Sequence, residues 1–333
     1  MSHDVSIKAK STSHKHIIFE ILYKYGTIIT IVLLTFIFAL AANNFLQGDN
    51  ILNILRSISI VTIIATGITL SLTVGGFDLS VGSVASVSDA LALSAFVWYS
   101  QDTLVGILAA LAAAGVCGII NGFLIVKVKI PDMLATLATM FILQGLALSY
   151  ARGATISQNM VMPNGNFAMG TIPSFFINLG QTPWIIVIML CVTLAVHIFL
   201  TYTKHGRYMY MIGGNLEAAR LSGIPVNRYR ILAYFLAAIL AGIGGIVLAA
   251  RIQTTEINAG APYLMDAVAA AYIGFSVGGA GKPNAFGTFI GGILIGILQN
   301  GLIILSVPYY AMDIVKGLVL AFALTVTYYK KKF

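Results

Sequence analysis

The chain has 333 residues, of which 59% are hydrophobic and only 9% are charged. Soluble domains carry about 25% charged residues, so this composition excludes that class and indicates a polytopic membrane protein. The net charge of +8 does not indicate nucleic-acid binding, because the basic residues lie in short gaps between apolar runs and at both ends of the chain.

The apolar runs are long and continuous, which predicts an all-α fold of about ten transmembrane helices. The predicted spans are residues 26–43, 57–74, 80–99, 103–126, 133–151, 183–202, 231–250, 264–280, 284–305 and 309–328. A basic tail, residues 1–24, precedes one transmembrane domain, residues 25–330. No small-residue cleavage site ends the first run, so the tail is expected to be retained.

The distribution of basic residues predicts the orientation. The tail, the loops at 127–132, 204–230 and 281–284, and the final lysines hold nearly all of the basic charge. The positive-inside rule therefore places these segments and both termini in the cytoplasm.

Two halves of five spans each, residues 26–151 and 183–328, predict two inverted pseudo-repeats, because an odd number of spans reverses the second half. The stretches "GGFDLSVGSVASVSDA" and "NAGAPYLMDAVAAA" follow the second span of each half. Both contain glycine, an aspartate and small residues. The alternative is that small residues are simply common in packed transmembrane helices.

The stretch "TVGGFDLSVGS", residues 73–83, breaks the apolar pattern between two spans. Gly75, Gly76 and Gly82 permit a non-helical connection, which is tolerated at membrane depth only where protein or water surrounds it. Asp78 is predicted to cap the following helix, with Ser80 as the alternative cap. The other interpretation makes Asp78 a substrate or proton ligand.

The loop at 204–230 contains a predicted short helix, Asn215 to Ser222. Asn215 is the expected N-cap, Glu217 lies in the first turn, and Gly223 ends the helix. Small residues leave one face free to approach another protein: Ala218, Ala219 and Ser222. Such a helix could dock a partner at the inner membrane surface, or the loop could be a solvated connector whose charges only set topology.

Charged residues in or beside the spans should face protein or water, since each costs roughly 2.5 to 3.5 kcal/mol when unpaired in a membrane. They are Asp78, Asp89, Arg251, Asp266, Asp313 and Lys316. Asp313 and Lys316 are three residues apart and are predicted to pair on one helix face. Asp89 lies in mid-span and either bonds a neighbouring helix or faces a cavity.

Enzyme motifs are absent from the sequence, which has no HExxH, CxxC or GxSxG pattern. The segment "GGAGKPN" at 278–284 fails the phosphate-loop pattern, because Ser276 and Pro283 stand where glycine and Ser or Thr are required. We therefore expect no catalytic residue, no metal site and no cofactor bound by this chain.

The motifs "GGFDLSVGS", "GRYMYMIGGNLEAARLSGIPVNRYR" and "VKGLVLAFALTV" together resemble the permease subunit of ribose-type sugar ABC importers, from about Phe45 to the C-terminus. The resemblance implies a permease of the bacterial inner membrane that translocates a ribose-like sugar by alternating access. It further implies a cytoplasmic ATPase that uses the ATP, an extracytoplasmic sugar-binding protein and a second copy or related permease.

The same resemblance implies that the Gly214 to Gly223 segment is a coupling helix that sits in a groove of the ATPase. The expected coupling residues are Gly214, Asn215, Glu217, Ala218, Ala219, Ser222 and Gly223.

Candidate pathway residues for a sugar are hydrogen-bonding or aromatic groups near the spans. They are Phe77, Asp78, Ser80, Asp89, Asn121 and Asn300, with Gln144 and Gln299 as further candidates. Each could instead make a helix-packing hydrogen bond. The alternative function is an ion-coupled secondary transporter that uses Asp78 or Asp89 as its carrier. The particular sugar and the choice between homodimer and heterodimer are left open.

Overall fold

The computed structural model describes residues 14–162, 165–256, 258–275, 277 and 281–328. Most of the predicted tail, the final lysines and residues 276 and 278–280 of the predicted span 264–280 lie outside the described residues.

Helices dominate the described chain, as the sequence predicts. Their bounds are α1 His14–Ala41, α2 Gly48–Thr73, α3 Val81–Val97, α4 Thr103–Phe123, α5 Asp132–Ala151, α6 Ser174–Leu179, α7 Trp184–Tyr202, α8 Lys204–Gly214, α9 Leu216–Leu221, α10 Val226–Ile252, α11 Ala261–Gly274, α12 Ala285–Ile304 and α13 Tyr309–Tyr328. A π-helical turn, Leu124–Val128, continues α4. Strand β1, Ile156–Ser157, pairs antiparallel with β2, Thr254–Thr255. The prediction of an all-α polytopic membrane protein is confirmed.

A helix lies at each of the ten predicted spans. Six are long and apolar enough to cross a membrane, namely α2, α4 with its π-helical turn, α5, α7, α10 and α12. The apolar part of α1, Tyr25–Ala41, and α3 are shorter. Helix α11 has 14 residues, or about 21 Å, and is shorter than a hydrocarbon core of about 30 Å. The count of ten spans stays a prediction.

The outer surface of the bundle is apolar, as expected for contact with lipid. Large apolar side chains are more than half exposed on several helices, among them Phe36 on α1, Leu108 on α4, Phe141 on α5 and Leu194 on α7. Exposed apolar area of this extent marks a membrane or protein interface.

Helices α2 and α10 form the centre of the bundle. Helix α10 packs against α2, α3 and α4, whereas α2 packs against α10, α11 and α12. Helix α3 also packs on α4, and α11 packs on α12. Two halves related by a repeat would produce these reciprocal contacts, with α2 to α4 corresponding to α10 to α12. The inverted orientation of the halves stays a prediction.

Glycines let the central helices approach each other closely. A Cβ atom at Gly245 of α10 would overlap the carbonyl oxygen of Ala85 on α3. A Cβ atom at Gly291 of α12 would overlap the carbonyl oxygen of Ala270 on α11. Small residues at such crossings favour association of membrane helices, because the backbones come into van der Waals contact.

The connections gather at two ends of the bundle in the way that the predicted orientation requires. At one end, Tyr210 Oη donates a hydrogen bond of 2.7 Å to the carbonyl oxygen of Pro283, so two predicted cytoplasmic loops meet. At the other end, β1 pairs with β2, and Arg56 Nη2 donates a hydrogen bond of 2.7 Å to Gln181 Oε1. The assignment of each end to a side of the membrane stays a prediction.

Replacing Gly245 by valine is expected to destabilise the bundle, since its side chain would displace the backbone of α3. Overpacking costs about 1–3 kcal/mol. Thermal melting of the detergent-solubilised protein measures the loss. Gly145→Val is the matched control, because nothing lies within 4 Å of a Cβ atom at Gly145. Equal melting temperatures for the two variants would contradict the close packing of α3 and α10.

Candidate functional site

The connection between α2 and α3, residues 74–80, is non-helical and lies among α4, α5 and α10. Gly75 has a φ of +74°, a backbone conformation that favours glycine. A Cβ atom at Gly76 would overlap the hydroxyl of Tyr234 and lie 2.7 Å from Asp132 Oδ2. The predicted break in the helix is confirmed, and neighbouring helices surround it closely.

Asp78 is fully buried in this connection. Its Oδ1 atom accepts hydrogen bonds from the Ser80 amide at 2.8 Å and from the Ser80 hydroxyl at 2.6 Å. Asn121 Nδ2 of α4 donates to Ser80 Oγ at 2.8 Å. The three side chains therefore tie the connection to α4. Asp78 Oδ2 and Asn121 Oδ1 have no hydrogen-bond partner among the described residues.

The prediction that Asp78 caps α3 is wrong, whereas the alternative, Ser80, is confirmed in position only. Ser80 occupies the N-cap position, and its side chain makes no capping hydrogen bond. The Asp78 carboxylate instead accepts from an amide two residues ahead of it, before the helix begins, as aspartates do in tight turns. Burial raises the pKa of Asp78 to about 6, while the hydrogen bonds from Ser80 lower it.

Helices α5 and α10 hold the other side of the connection. The Thr136 hydroxyl of α5 accepts a hydrogen bond of 3.2 Å from the Leu79 amide. At the start of α5, Asp132 accepts hydrogen bonds from Arg230 Nη2 at 2.7 and 2.8 Å and from Tyr234 Oη at 2.6 Å. Sequence reasoning missed these partners, since Asp132 is separated from Arg230 by 98 residues.

The predicted coupling helix is α9, which is shorter than predicted by one residue at each end. Asn215 Oδ1 accepts a hydrogen bond of 3.0 Å from the Ala218 amide, so the predicted N-cap is confirmed. Gly223 has a φ of +78° and follows the helix, as predicted. Gly214 is the last residue of α8. Glu217 pairs with Arg220 at 3.0 Å on the exposed surface, where an ion pair contributes little stability.

The predicted small-residue face of α9 is only partly available to a partner. Ala219 is buried within the chain, whereas Ala218 and Ser222 are exposed. Leu221 was not predicted as part of this surface, and its exposure of 88% is unusual for a leucine beside a packed bundle.

The segment that precedes α9 lies against the α2–α3 connection. A Cβ atom at Gly213, near the end of α8, would overlap the carbonyl oxygen of Thr73 at the end of α2. The ideal Cβ position of Gly75 is 3.6 Å from Gly213 Cα. Backbone therefore touches backbone, and a displacement of α8 and α9 acts directly on the end of α2.

A basic cleft of about 860 Å³ lies between the α4–α5 connection and the α9–α10 region. Its cationic lining residues are Lys127, Lys129, Arg220, Arg228 and Arg230. Asp132 is the single acidic residue among the lining residues that the structure describes, and its carboxylate already accepts hydrogen bonds from Arg230 and Tyr234. The cleft thus presents excess positive charge beside the exposed face of α9.

The structure brings together Asp78, Ser80 and Asn121, with Phe77 next to them in the same connection. The Phe77 ring lies 6.1 Å from that of Tyr272.

Two other candidates lie apart from this cluster. Asn300 exchanges hydrogen bonds of 3.0 Å with Asn50 at the opposite end of the bundle. Asp89 is fully buried in α3 near the Thr255 hydroxyl of β2, but neither of its carboxylate oxygens makes a hydrogen bond of standard geometry within the described ranges. The six candidates therefore do not form one site.

The predicted pairing of Asp313 with Lys316 is confirmed, with Oδ1 3.4 Å from Nζ. Lys316 also pairs with Asp266 Oδ1 on α11 at 3.4 Å, a contact that sequence spacing alone did not indicate.

Asp78→Asn is expected to preserve folding and transport, because an amide oxygen still accepts the hydrogen bonds from Ser80. Asp78→Ala leaves a buried amide unpaired and should destabilise the protein by about 1–3 kcal/mol. Melting temperature and transport rate of the two variants check this. A properly inserted Asp78→Asn protein without transport would favour a carrier role for the carboxylate.

Comparison with known proteins places the chain among membrane permeases. Residues 50–324 match the family described as branched-chain amino acid transport system / permease component. The ribose import permease protein RbsC of Escherichia coli (strain K12) is 35% identical over 92% of this chain and 94% of its own length. RbsC of Bacillus subtilis (strain 168) is 35% identical over 94% and 95% of the two chains.

A third relative is the D-allose transport system permease protein AlsC of Escherichia coli (strain K12), which is 28% identical over 96% of this chain and 97% of its own length. No solved structure matches the chain. The family match covers most of the sequence, including the α2–α3 connection and α9. The chain therefore belongs to the family of branched-chain amino acid transport system / permease components.

Proposed function

We propose that the chain is the membrane permease subunit of a binding-protein-dependent ABC importer for a small sugar, ribose or a related monosaccharide. The relatives named for ribose and D-allose support the sugar class. The observation that carries the mechanism is the backbone contact between Gly213 and the end of α2.

A permease that does not hydrolyse ATP must receive its driving force through contact with a partner. Helix α9 is suited to this, since Asn215 caps its start and Gly223 follows its end. Leu221 projects from it into solvent and offers an apolar contact. An ATPase that moves Leu221 would move α9 and α8 together.

The α2–α3 connection is the next element in the proposed path. The backbone of Gly213 contacts that of Thr73 at the end of α2. The α2–α3 connection is hydrogen-bonded to α4 through Ser80 and Asn121, and to α5 through Leu79 and Thr136. A shift of α8 would therefore reach α2, α3, α4 and α5. Rocking of such helix groups against each other is the usual basis of alternating access.

The proposed partners follow from the same surfaces. A cytoplasmic ATPase with acidic residues would complement the basic cleft beside α9. The permease would lie in the bacterial inner membrane. A binding protein would deliver the sugar from outside the cytoplasm, at the end of the bundle opposite to α9. A second copy of this chain, or a related permease, would complete the pathway.

The alternative is an ion-coupled secondary transporter. The buried Asp89 carboxylate favours it, since the Thr255 hydroxyl is its polar neighbour and no described residue makes a hydrogen bond of standard geometry to either oxygen. Asp78 favours it less, because one of its oxygens is committed to Ser80.

Reconstitution into proteoliposomes with the cognate ATPase and binding protein separates these functions. We expect uptake of labelled ribose that requires ATP and both partners. Uptake driven by a proton or sodium gradient, without ATP, would contradict the proposal and support the alternative. Uptake of leucine in place of ribose would retain the ABC mechanism and overturn the sugar class.

Leu221→Asp is expected to abolish ATP-driven uptake while leaving insertion and thermal stability unchanged, because the side chain contacts solvent and not the bundle. Leu221→Met is the matched control, since it keeps an apolar side chain of similar size. Uptake and ATPase activity are measured on the same preparation. Normal uptake by the aspartate variant would exclude α9 as the mechanical contact.

A further inference from the structure

A second cavity, of about 920 Å³, lies at the end of the bundle opposite to α9. Helices α2, α10, α11, α12 and α13 and the segment after β2 form its walls. The lining residues that matter here are Ser57, Asn258, Tyr263, Asp266, Gln299 and Lys316. Gln299, a further pathway candidate from the sequence, lines this cavity, whereas none of the six main candidates does.

The charges on the cavity wall are largely compensated by each other. Lys316 Nζ lies 3.4 Å from Asp266 Oδ1 and 3.4 Å from Asp313 Oδ1. Arg251 and Glu256 contribute one further charge of each sign. The wall thus carries two cations and three carboxylates, which disfavours an anionic ligand and leaves no cluster of one sign for a cationic one.

Neutral hydrogen-bonding groups stand beside these charges. The Gln299 amide lines the cavity, and the buried Asn258 Oδ1 atom has no hydrogen-bond donor in the part of the chain that the structure describes. Tyr263 adds a hydroxyl and an aromatic face. Amides, a hydroxyl and an aromatic ring match the groups that a neutral polyol requires.

The mouth of the cavity is polar, unlike the lipid-facing surface. Asp313, on the first turns of α13, has a side-chain exposure of 88%. A carboxylate exposed to lipid costs roughly 2.5 to 3.5 kcal/mol. The mouth therefore faces water or another protein, on the side where the binding protein would release its ligand.

We infer that this cavity is the extracytoplasmic access cavity of the permease, where a neutral monosaccharide first makes contact with the chain. The inference rests on the proposed function and adds the location of the sugar. The Asp78 cluster then belongs to the mechanical core at the cytoplasmic end and not to the sugar site.

Thiol blocking of a cavity residue in the assembled transporter tests the inference. Gln299→Cys is made in a Cys191→Ser background, because Cys191 is exposed whereas Cys117 is buried. Leu305→Cys is the matched control, since Leu305 is exposed at the end of the same helix and does not line the cavity. Cells are treated with a membrane-impermeant methanethiosulfonate, and ATP-driven uptake of labelled ribose is measured before and after.

We expect the reagent to abolish uptake by the Gln299→Cys transporter and to leave the Leu305→Cys transporter active. Unchanged uptake after complete modification of Gln299→Cys, verified by mass spectrometry, would overturn the inference. Ser57→Cys, on the facing wall, replaces Gln299→Cys if the latter is inactive before treatment. Absence of ATP-driven uptake of ribose, D-allose and related monosaccharides by the unsubstituted transporter would overturn the proposed function itself, which distinguishes the two failures.

Discussion

The polar groups of the α2–α3 connection must find partners inside the protein, because lipid offers none. This constraint organises one end of the bundle. The Asp78 carboxylate satisfies the Ser80 amide, and the Thr136 hydroxyl satisfies the Leu79 amide. Helices α4, α5 and α10 therefore have to lie close to the connection, and Gly76 has to lack a side chain where it faces Tyr234. The backbone of the connection is therefore constrained from several sides.

Close packing of the helices also allows a displacement of one helix to be transmitted to its neighbours. Gly245 places the backbone of α10 against that of α3, and Gly213 places α8 against α2. Contacts between backbones transmit displacement better than contacts between long side chains, which can change rotamer. The uncompensated oxygens of Asp78 and Asn121 lie within this packed region. A small shift of α4 relative to the connection would change the surroundings of both oxygens.

Local signals were sufficient to predict a helix at each apolar run and to predict α9 to within one residue at each end, but they did not indicate α6 or α8. Apolar runs located each span, while Asn215 and Gly223 located the coupling helix, because capping depends on residues close in sequence. Partners distant in sequence could not be predicted. Asp132 and Arg230 are 98 residues apart, and nothing in their surroundings indicates the other. The capping role of Asp78 was mispredicted for a related reason, since an aspartate before a helix can bond an earlier amide equally well.

The two ends of the bundle have different chemistry, which favours contact with a partner protein at one end and contact with a ligand at the other. At the end with α9, cations are in excess and the central carboxylates are bound to neighbours, which suits contact with an acidic protein surface and firm helix positions. At the other end, Lys316 is shared by two carboxylates, and the Asn258 amide oxygen has no hydrogen-bond donor among the described residues. A ligand held there by neutral hydrogen bonds would bind weakly, since water competes for each group. Weak binding suits a permease, because a sugar that is held tightly at the access cavity would not move on when the helices rock.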